Sequence, residues 1–547
     1  MTQKAPAPPP ALSAAVELLM AGRLQEAQRA IRKLLQSRPD LPEVHMLAFE
    51  VYSQLQDAQR ATEASGRVLR LRPAWTEANI HVGLGDLFGD FGRYDEAEAR
   101  YRRALELKPD LTDARFNLAS ALFAAGRVAQ AIEELKTLLE FQPDAPDARQ
   151  KLVQLLQEER RYDEMDAVCR EAMARDPSAS FYPQKLGVAL WRRGRCDEAL
   201  VAYRAAAERS GGPGSESYQD ARLLEASLLL TMGRYAEGWE AYRWRYTRSR
   251  LTQAHPDLIP ADAIGQLDEA VHVKVLAEQG LGDEIFFTRF AVELRRRGCR
   301  ISVVCEPKLA QLLAAMPELI ESVNDAAAAA DITLSSADLP IASGLSHAPP
   351  LGLPFDAARR SAWEARLRDF GPPPYLGVTW RSGILPDEPK PQRGLYWSKE
   401  VPLEQLANAL RAVDARCVIV QRRPAPEELR RFAQALGRPV LDASPMNNDL
   451  RDALGLLALL HEYVTVSNTN VHLRAGIAGK SARVLVPTPP EWRWGMEGER
   501  SDWFPEFKLY RQGLNRDWEG ALVCLGTDVK RDIAAQHGCW PDATTPA

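Results

Sequence analysis

The sequence predicts an all-helical array followed by two doubly wound α/β units. Three observations carry that prediction. Prolines recur at a near-constant period through the N-terminal part of the chain. Strand-like and helix-like runs alternate from about residue 271. A Pro-rich break, GPPP at 371–374, is followed by a second round of the same alternation. At 547 residues the chain exceeds what one core usually serves, so several domains are expected.

The array is read from its period. Pro39, Pro73, Pro109, Pro143 and Pro177 are separated by 34, 36, 34 and 34 residues. Gly22, Gly92 and Gly126 each stand 17 residues before the proline of their unit, and Gly194 takes the same part later; all four occur as Gly-Arg. In the third unit Gly85 and Ala97 are small where two helices should cross closely, and Leu84, Phe88, Tyr94 and Tyr101 fill the space between them. Gly92 should end the first helix and Pro109 the second. Gly187, Gly194, Ala199, Tyr203 and Ala206 repeat the scheme in the sixth unit. These features resemble the tetratricopeptide repeat: six units over roughly 11–213, and a less regular seventh at 233–246. Such units bury their apolar faces only by stacking, and the stack presents a groove suited to a protein or peptide partner. A scaffold that only carries the next domain is the alternative.

From 271 the runs VHVKVLAEQ and ISVVCE read as strands separated by a helix, with PKLAQLLAAM as the next helix. After GPPP come strands YLGVTW, CVIVQ, PVLD, YVTVS and ARVLVP, alternating with helices PLEQLANALRAV, PEELRRFAQAL, DLRDALGLLALL and NVHLRAGIAG. This alternation implies parallel sheets with helices on their faces, and a ligand cleft between two such halves. The expected boundaries are a tail over 1–10, the array over 11–247, a linker over 248–270, a first half over 271–370, a second over 375–530 and a tail over 531–547.

Bulk properties narrow the function. The net charge of −5 argues against a general nucleic-acid binder. Seven cysteines form no C-x-x-C pair, so a reducing compartment fits and a zinc site does not. Histidines are scattered and no D-x-D occurs where a metal-dependent transferase needs it, so no metal is expected. No signal peptide and no apolar run long enough to span a membrane is seen, so the expectation is a cytoplasmic protein with no integral membrane segment.

The stretch LAEQGLGDEIFFTRF, 276–290, joins a strand end to a helix through Gly280 and Gly282. The third glycine of a dinucleotide fingerprint would fall on Ile285, and Asp283 puts negative charge where a pyrophosphate should sit. A phosphate cradle is therefore disfavoured. Asp283 reads either as a base that takes a proton from an attacking hydroxyl or as the helix N-cap.

A strand, a G-x-G-D loop and a helix resemble the first loop of the ADP-heptose:lipopolysaccharide heptosyltransferases, GT-B glycosyltransferases of family nine. The junction GRYAEGWEAYRWRY with EQGLGDEI is similar to bacterial proteins that join tetratricopeptide repeats to such a domain. The resemblance covers about 230–525. It implies two Rossmann-like halves and makes Asp283 the catalytic base. VTVSNTNVHLRAGIAGKSARVLVP, 464–487, resembles the family's donor-side segment, with Thr469 at the helix start and Gly476, Gly479 and Lys480 in the following turn. Two departures stand out: Asn468 occupies the family's Asp position, and His472 lies one place early. Aligned on His472 instead, Ser467 takes the Asp position, and the carboxylate is missing either way.

Further candidates lie near the expected cleft. Arg381, at the end of VTWRSG, can clamp a phosphate bidentately. The resemblance implies that the run holding Arg393, Trp397 and Lys399 brings one basic residue to the donor, taken here as Lys399. Asn468, Thr469 and Asn470 open the donor-side helix. Trp492, Trp494 and Trp503, with Glu491, offer aromatic faces for a sugar or base, or else pack in the core. Glu278 can orient an acceptor or end a strand. The resulting expectation is a glycosyltransferase with a nucleotide-sugar as substrate and no cofactor. Its acceptor is a protein or surface glycan docked by the repeats. The rival is a noncatalytic tetratricopeptide adaptor.

Overall fold

The computed structural model describes residues 10–537 except 268, 326–328, 383–398 and 514. Two units separate, Met1–Pro177 and Ser178–Ala547.

The described part of the first unit holds ten helices in five pairs: α1 (Pro10–Met20) and α2 (Leu24–Ser37), α3 (Pro42–Gln54) and α4 (Ala58–Leu71), α5 (Glu77–Asp90) and α6 (Tyr94–Leu107), α7 (Thr112–Ala124) and α8 (Val128–Phe141), α9 (Pro146–Glu158) and α10 (Tyr162–Arg175). Each periodic proline lies two residues past the second helix of its pair, from Pro39 after α2 to Pro177 after α10. The turn inside each pair needs one left-handed residue. Gly22, Gly92 and Gly126 supply it with φ of 69°, 70° and 78°. Gln56 and Arg160 fill the same place in the second and fifth pairs at φ 58° and 59°, where a Cβ is disfavoured. Gly85 lets α5 and α6 approach closely: a Cβ there would lie 2.5 Å from the Tyr101 ring. Tyr101 is buried and donates its hydroxyl proton to Asp86 Oδ1 at 2.7 Å.

The second unit continues the pattern before changing it. Helices α11 (Phe181–Arg192), α12 (Cys196–Glu208), α13 (Glu216–Thr231) and α14 (Tyr235–Tyr242) form two more pairs, turning at Gly194 and Gly233 with φ of 76° and 78°. Gly187 meets Tyr203 as Gly85 meets Tyr101, again at 2.5 Å. The stretch expected to be a linker is built in: α15 (Tyr246–Ala254) follows, and Leu258 bridges to Thr333. The reason is charge. Arg245 and Arg248 are buried, and both reach Asp338, at 2.8 and 3.1 Å. Removing such a partner from a buried cation is strongly destabilising, so the two arginines tie this stretch to the α/β half.

The first α/β half contains β1 (His272–Leu276), α16 (Leu281–Arg296), β2 (Arg300–Val304), α17 (Pro307–Leu313), β3 (Ser322–Val323), β4 (Ile332–Ser335) and α18 (Leu339–Ser343). Its parallel sheet runs β3-β2-β1-β4. Helix α19 (Ala357–Phe370) leads to the second half. There follow β5 (Tyr375–Val378), α20 (Leu403–Ala409), β6 (Arg416–Ile419), α21 (Pro426–Leu436), β7 (Val440–Asp442), α22 (Leu450–Leu459) and β8 (Glu462–Val466). The half closes with α23 (Thr469–Ala475), β9 (Arg483–Val486), β10 (Arg500–Ser501), β11 (Phe504–Arg511) and α24 (Glu519–His537). The sheet order is β10-β11-β9-β8-β5-β6-β7, parallel except for β10 against β11. Every residue of β5, β8 and β9 is buried, as for strands covered on both faces. The order reverses direction between β5 and β8, which makes that point the expected ligand crevice.

Candidate functional site

A cleft of about 660 Å³ opens at the carboxyl ends of β1, β5, β6 and β8. Gly280, Gly282, Asp283, Arg381, Lys399, Asn468, Thr469 and Asn470 all line it. The sequence had scattered these residues over some 190 positions; the two sheets bring them together.

On the first-half side the loop after β1 is pinned from below. Buried Glu284 accepts from the backbone N–H of Glu278 and Gln279 at 2.9 and 2.8 Å, and from Ser336 Oγ at 3.0 Å. Burial, only partly opposed by those donors, raises its carboxyl to about 7. Gly280, not Asp283, is the N-cap of α16. Asp283 sits in the first turn, one-third exposed, so the capping alternative fails. Its Oδ1 is ion-paired with Arg493 Nη2. Gly282 is required by close approach: a Cβ there would lie 2.9 Å from His472 Cδ2 and 3.3 Å from Thr469 Cα.

Arg493 begins a chain of charges across the cleft floor. It is buried, sits over the Phe286 and Trp492 rings at 4.9 and 4.1 Å, and also pairs with Glu491. Glu491 Oε2 accepts from Ser467 Oγ at 2.8 Å and from Lys399 Nζ at 2.7 Å. Burial opposes ionisation of Glu491, but Lys399 and Arg493 more than offset it and hold the carboxyl well below its usual range. Burial, reinforced by Arg493, holds His472 well below its ordinary value, so the ring is neutral near pH 7.

The second-half side is cationic. Arg381, Lys399, Arg422 and Arg423 line it together with Glu491, while the first-half side carries Lys308 and the acids Asp283 and Glu306. Gln421 Oε1 accepts from the N–H groups of Trp380 and Arg381 at 3.2 and 3.1 Å, which ties β5's end to β6's.

Several expected roles change in this setting. The two-pronged face of Arg381 is occupied by Glu428, at 3.1 and 2.9 Å, so a bidentate phosphate clamp is unavailable; Nη1 alone is without a partner among the described residues. Asn468 is the N-cap of α23, accepting from Val471 N and donating to Thr465 Oγ1 at 3.0 Å, so its side chain is committed locally. Asn470 is buried and donates to Asn447 Oδ1 at 3.1 Å. Trp492 and Trp494 do not line the cleft: they are 7% and 0% exposed, Trp492 packing edge-on against Trp239 and Phe286, and Trp494 lying tilted against Phe504. Apolar area of that size is better buried than held open for a sugar. Trp503 joins the same cluster. Glu278 is buried against Arg245 at 2.5 Å, which removes it from any acceptor. Arg393 and Trp397 lie outside the described residues.

The sequence reading missed Arg493, Lys308 and Arg422. Lys308 and Arg422 follow strand ends in EPK and QRR, so the strand-end rule would have flagged them. Arg493 lies between the two tryptophans of WRW, which drew attention away from it. Its pairing with Asp283, 210 residues away in the chain, has no local signal.

Tetratricopeptide-repeat family models match residues 90–156 and 185–243, so the helix pairs are tetratricopeptide repeats. A curated relative, Protein FlbA of Caulobacter vibrioides, is 27% identical over 366 residues, covering 62% of this chain and 59% of the relative. The chain thus spans under two thirds of that relative's length. Among solved structures, a glycosyl transferase of family 9 from Veillonella parvula covers 49% of this chain and 100% of its own, at 12% identity and TM-score 0.38. YrrB, described as a tetratricopeptide protein with an unusual peptide-binding site, covers 33% of this chain and 92% of its own, at 19% identity and TM-score 0.24. No helix among the described residues is long and apolar enough to cross a membrane.

Proposed function

We propose that the cleft transfers a sugar from a nucleotide-sugar donor to a hydroxyl, and that the repeats dock the protein or glycan that carries the hydroxyl. The observation that carries this reading is the division of charge in one cleft: a part-exposed carboxylate on the first half faces cations on the second. The diphosphate of the donor lies against Arg422 and Lys399, with the buried charge of Arg381 behind them. Asp283 Oδ2, which has no partner among the described residues, takes the acceptor's hydroxyl proton while Arg493 fixes Oδ1. The acceptor oxygen bonds to the anomeric carbon, the bond from that carbon to the diphosphate breaks, and the nucleoside diphosphate leaves with its charge on the cations. Lys399 is shared between Glu491 and the donor, so donor binding loosens one end of the charge chain that holds the base.

The test is thermal stabilisation of the full chain by nucleoside diphosphates and nucleotide-sugars, followed by turnover with the donor so found. Stabilisation by one nucleotide, weakened in Arg422→Ala and retained in Asp283→Asn, supports the reading. No stabilisation by any nucleotide sinks it. The ion pair between Asp283 and Arg493, with Asn468 where the resembling family has Asp, favours a second reading: a tetratricopeptide adaptor whose α/β part does no chemistry. Nucleotide binding with no turnover on any acceptor points to that reading.

A further inference from the structure

A second cavity, of about 390 Å³, lies beyond His472, on the other side of α16's first turns. Its walls are apolar: Phe286, Leu351, Ile477, Trp503 and Phe504. Two cations line it, Arg289 and Lys480. Arg289 is 8% exposed, and its guanidinium donates only to carbonyl oxygens, those of Pro349 and Ala348 at 2.9 Å and Trp503 at 3.1 Å. Nη1 is buried with no partner among the described residues. The group also lies over the Phe286 and Phe504 rings, at 5.5 and 5.2 Å. Lys480 Nζ donates to the carbonyl of Leu460 at 3.2 Å. Among the described residues neither cation has a carboxylate partner. The acids at the rim, Asp502 and Glu506, are exposed, and Asp502 accepts from the Tyr235 hydroxyl at 2.7 Å.

This is a costly way to bury charge. Elsewhere in the same unit Arg245, Arg248 and Arg483 are buried against carboxylates, whereas Arg474, like Arg289, is buried against carbonyl oxygens but does not line this cavity. A buried cation without an anion is expensive, and an opposite charge brought by a ligand relieves it. Burial pushes Arg289 down to about 10 and Lys480 down to about 8, the direction that an uncompensated positive charge gives.

We propose that this cavity binds a small carboxylate with an apolar body, its charge drawn to Arg289 and its body lying on Phe286, Trp503 and Phe504. The site is distinct from the sugar-transfer cleft but shares one wall with it, because His472 lines both. It stands or falls independently of the cleft's activity. The volume suits a ligand of about ten heavy atoms, for which a Kd of about 5 mM or tighter is expected.

Isothermal titration of the full chain with benzoate and hexanoate, against benzamide and hexanamide, tests it. The expected result is saturable binding of the carboxylates, with the neutral amides at least about tenfold weaker. Arg289→Gln should erase that preference, and Lys480→Gln, at a half-buried position that disturbs the fold less, should weaken carboxylate binding by about threefold or more. Equal binding of amides and carboxylates overturns the proposal. So does an absence of carboxylate binding by a chain whose circular dichroism shows it folded, or unchanged carboxylate binding in both variants.

Discussion

Two charged regions of the second unit can be compared. At the joint between the last helix pair and the first α/β half, the side chains of Arg245, Arg248, Glu278 and Asp338 are all buried and paired with one another, with the Thr247 and Ser335 hydroxyls donating to the remaining Glu278 acceptor positions. In the cleft, Asp283, Arg381 and Lys399 are also paired, but each keeps one exposed or unpartnered position. A saturated network holds elements together. A chain with spare valences can take a ligand, and the three residues that keep them line one cleft.

Substitution separates the two. Asp283→Asn should leave the melting temperature nearly unchanged, since one-third of the side chain is exposed, while lowering sugar transfer by about 10²–10⁴-fold in a turnover assay. Arg245→Met should do the reverse: about 3–5 kcal/mol of stability lost in denaturant unfolding, because Glu278 is left buried without a cation and Asp338 keeps only Arg248. If Arg245→Met unfolds with an unchanged midpoint, the joint is not the fixed partner of this comparison.

Glu284 lies between the two regions, under the Asp283 loop, and its pH dependence sharpens the boundary. Its folded value of about 7 exceeds the ordinary 4.5, so the folded state binds the proton more tightly. Its contribution to stability is therefore full below about pH 4.5 and declines as pH rises through 7. The stability difference between the natural chain and Glu284→Gln should change by a few kcal/mol between pH 4.5 and 7, read from denaturant midpoints at each pH. A difference that does not vary with pH would place Glu284 outside any titrating role.

Gly282→Ala tests how closely the halves meet at the cleft. The added methyl would lie 2.9 Å from the buried His472 ring, and about 1–3 kcal/mol of stability should be lost. The smallest effect is expected far from both regions. Arg160→Gly relieves a left-handed turn residue in the fifth repeat and should stabilise by about 0.5–1 kcal/mol, after the glycine's greater unfolded entropy is deducted.

The sequence by itself determined the elements. Prolines two residues past each second helix, glycines in the left-handed turns and the alternation after residue 271 are local signals: a fixed φ, a missing Cβ or a period of apolar residues acts within a few positions. The same locality located Asp283, Arg381 and Asn468 at strand ends. Tertiary structure decided which charge meets which. Glu278 goes to Arg245 and Asp283 to Arg493, while Trp492 and Trp494 turn into the core, and Arg289 stays without a carboxylate. Pairing depends on distance in space between residues far apart in the chain, and on a burial that no short window of sequence encodes. That is why residues such as Asp283, Arg381 and Asn468 could be singled out before the fold, and their partners only after it.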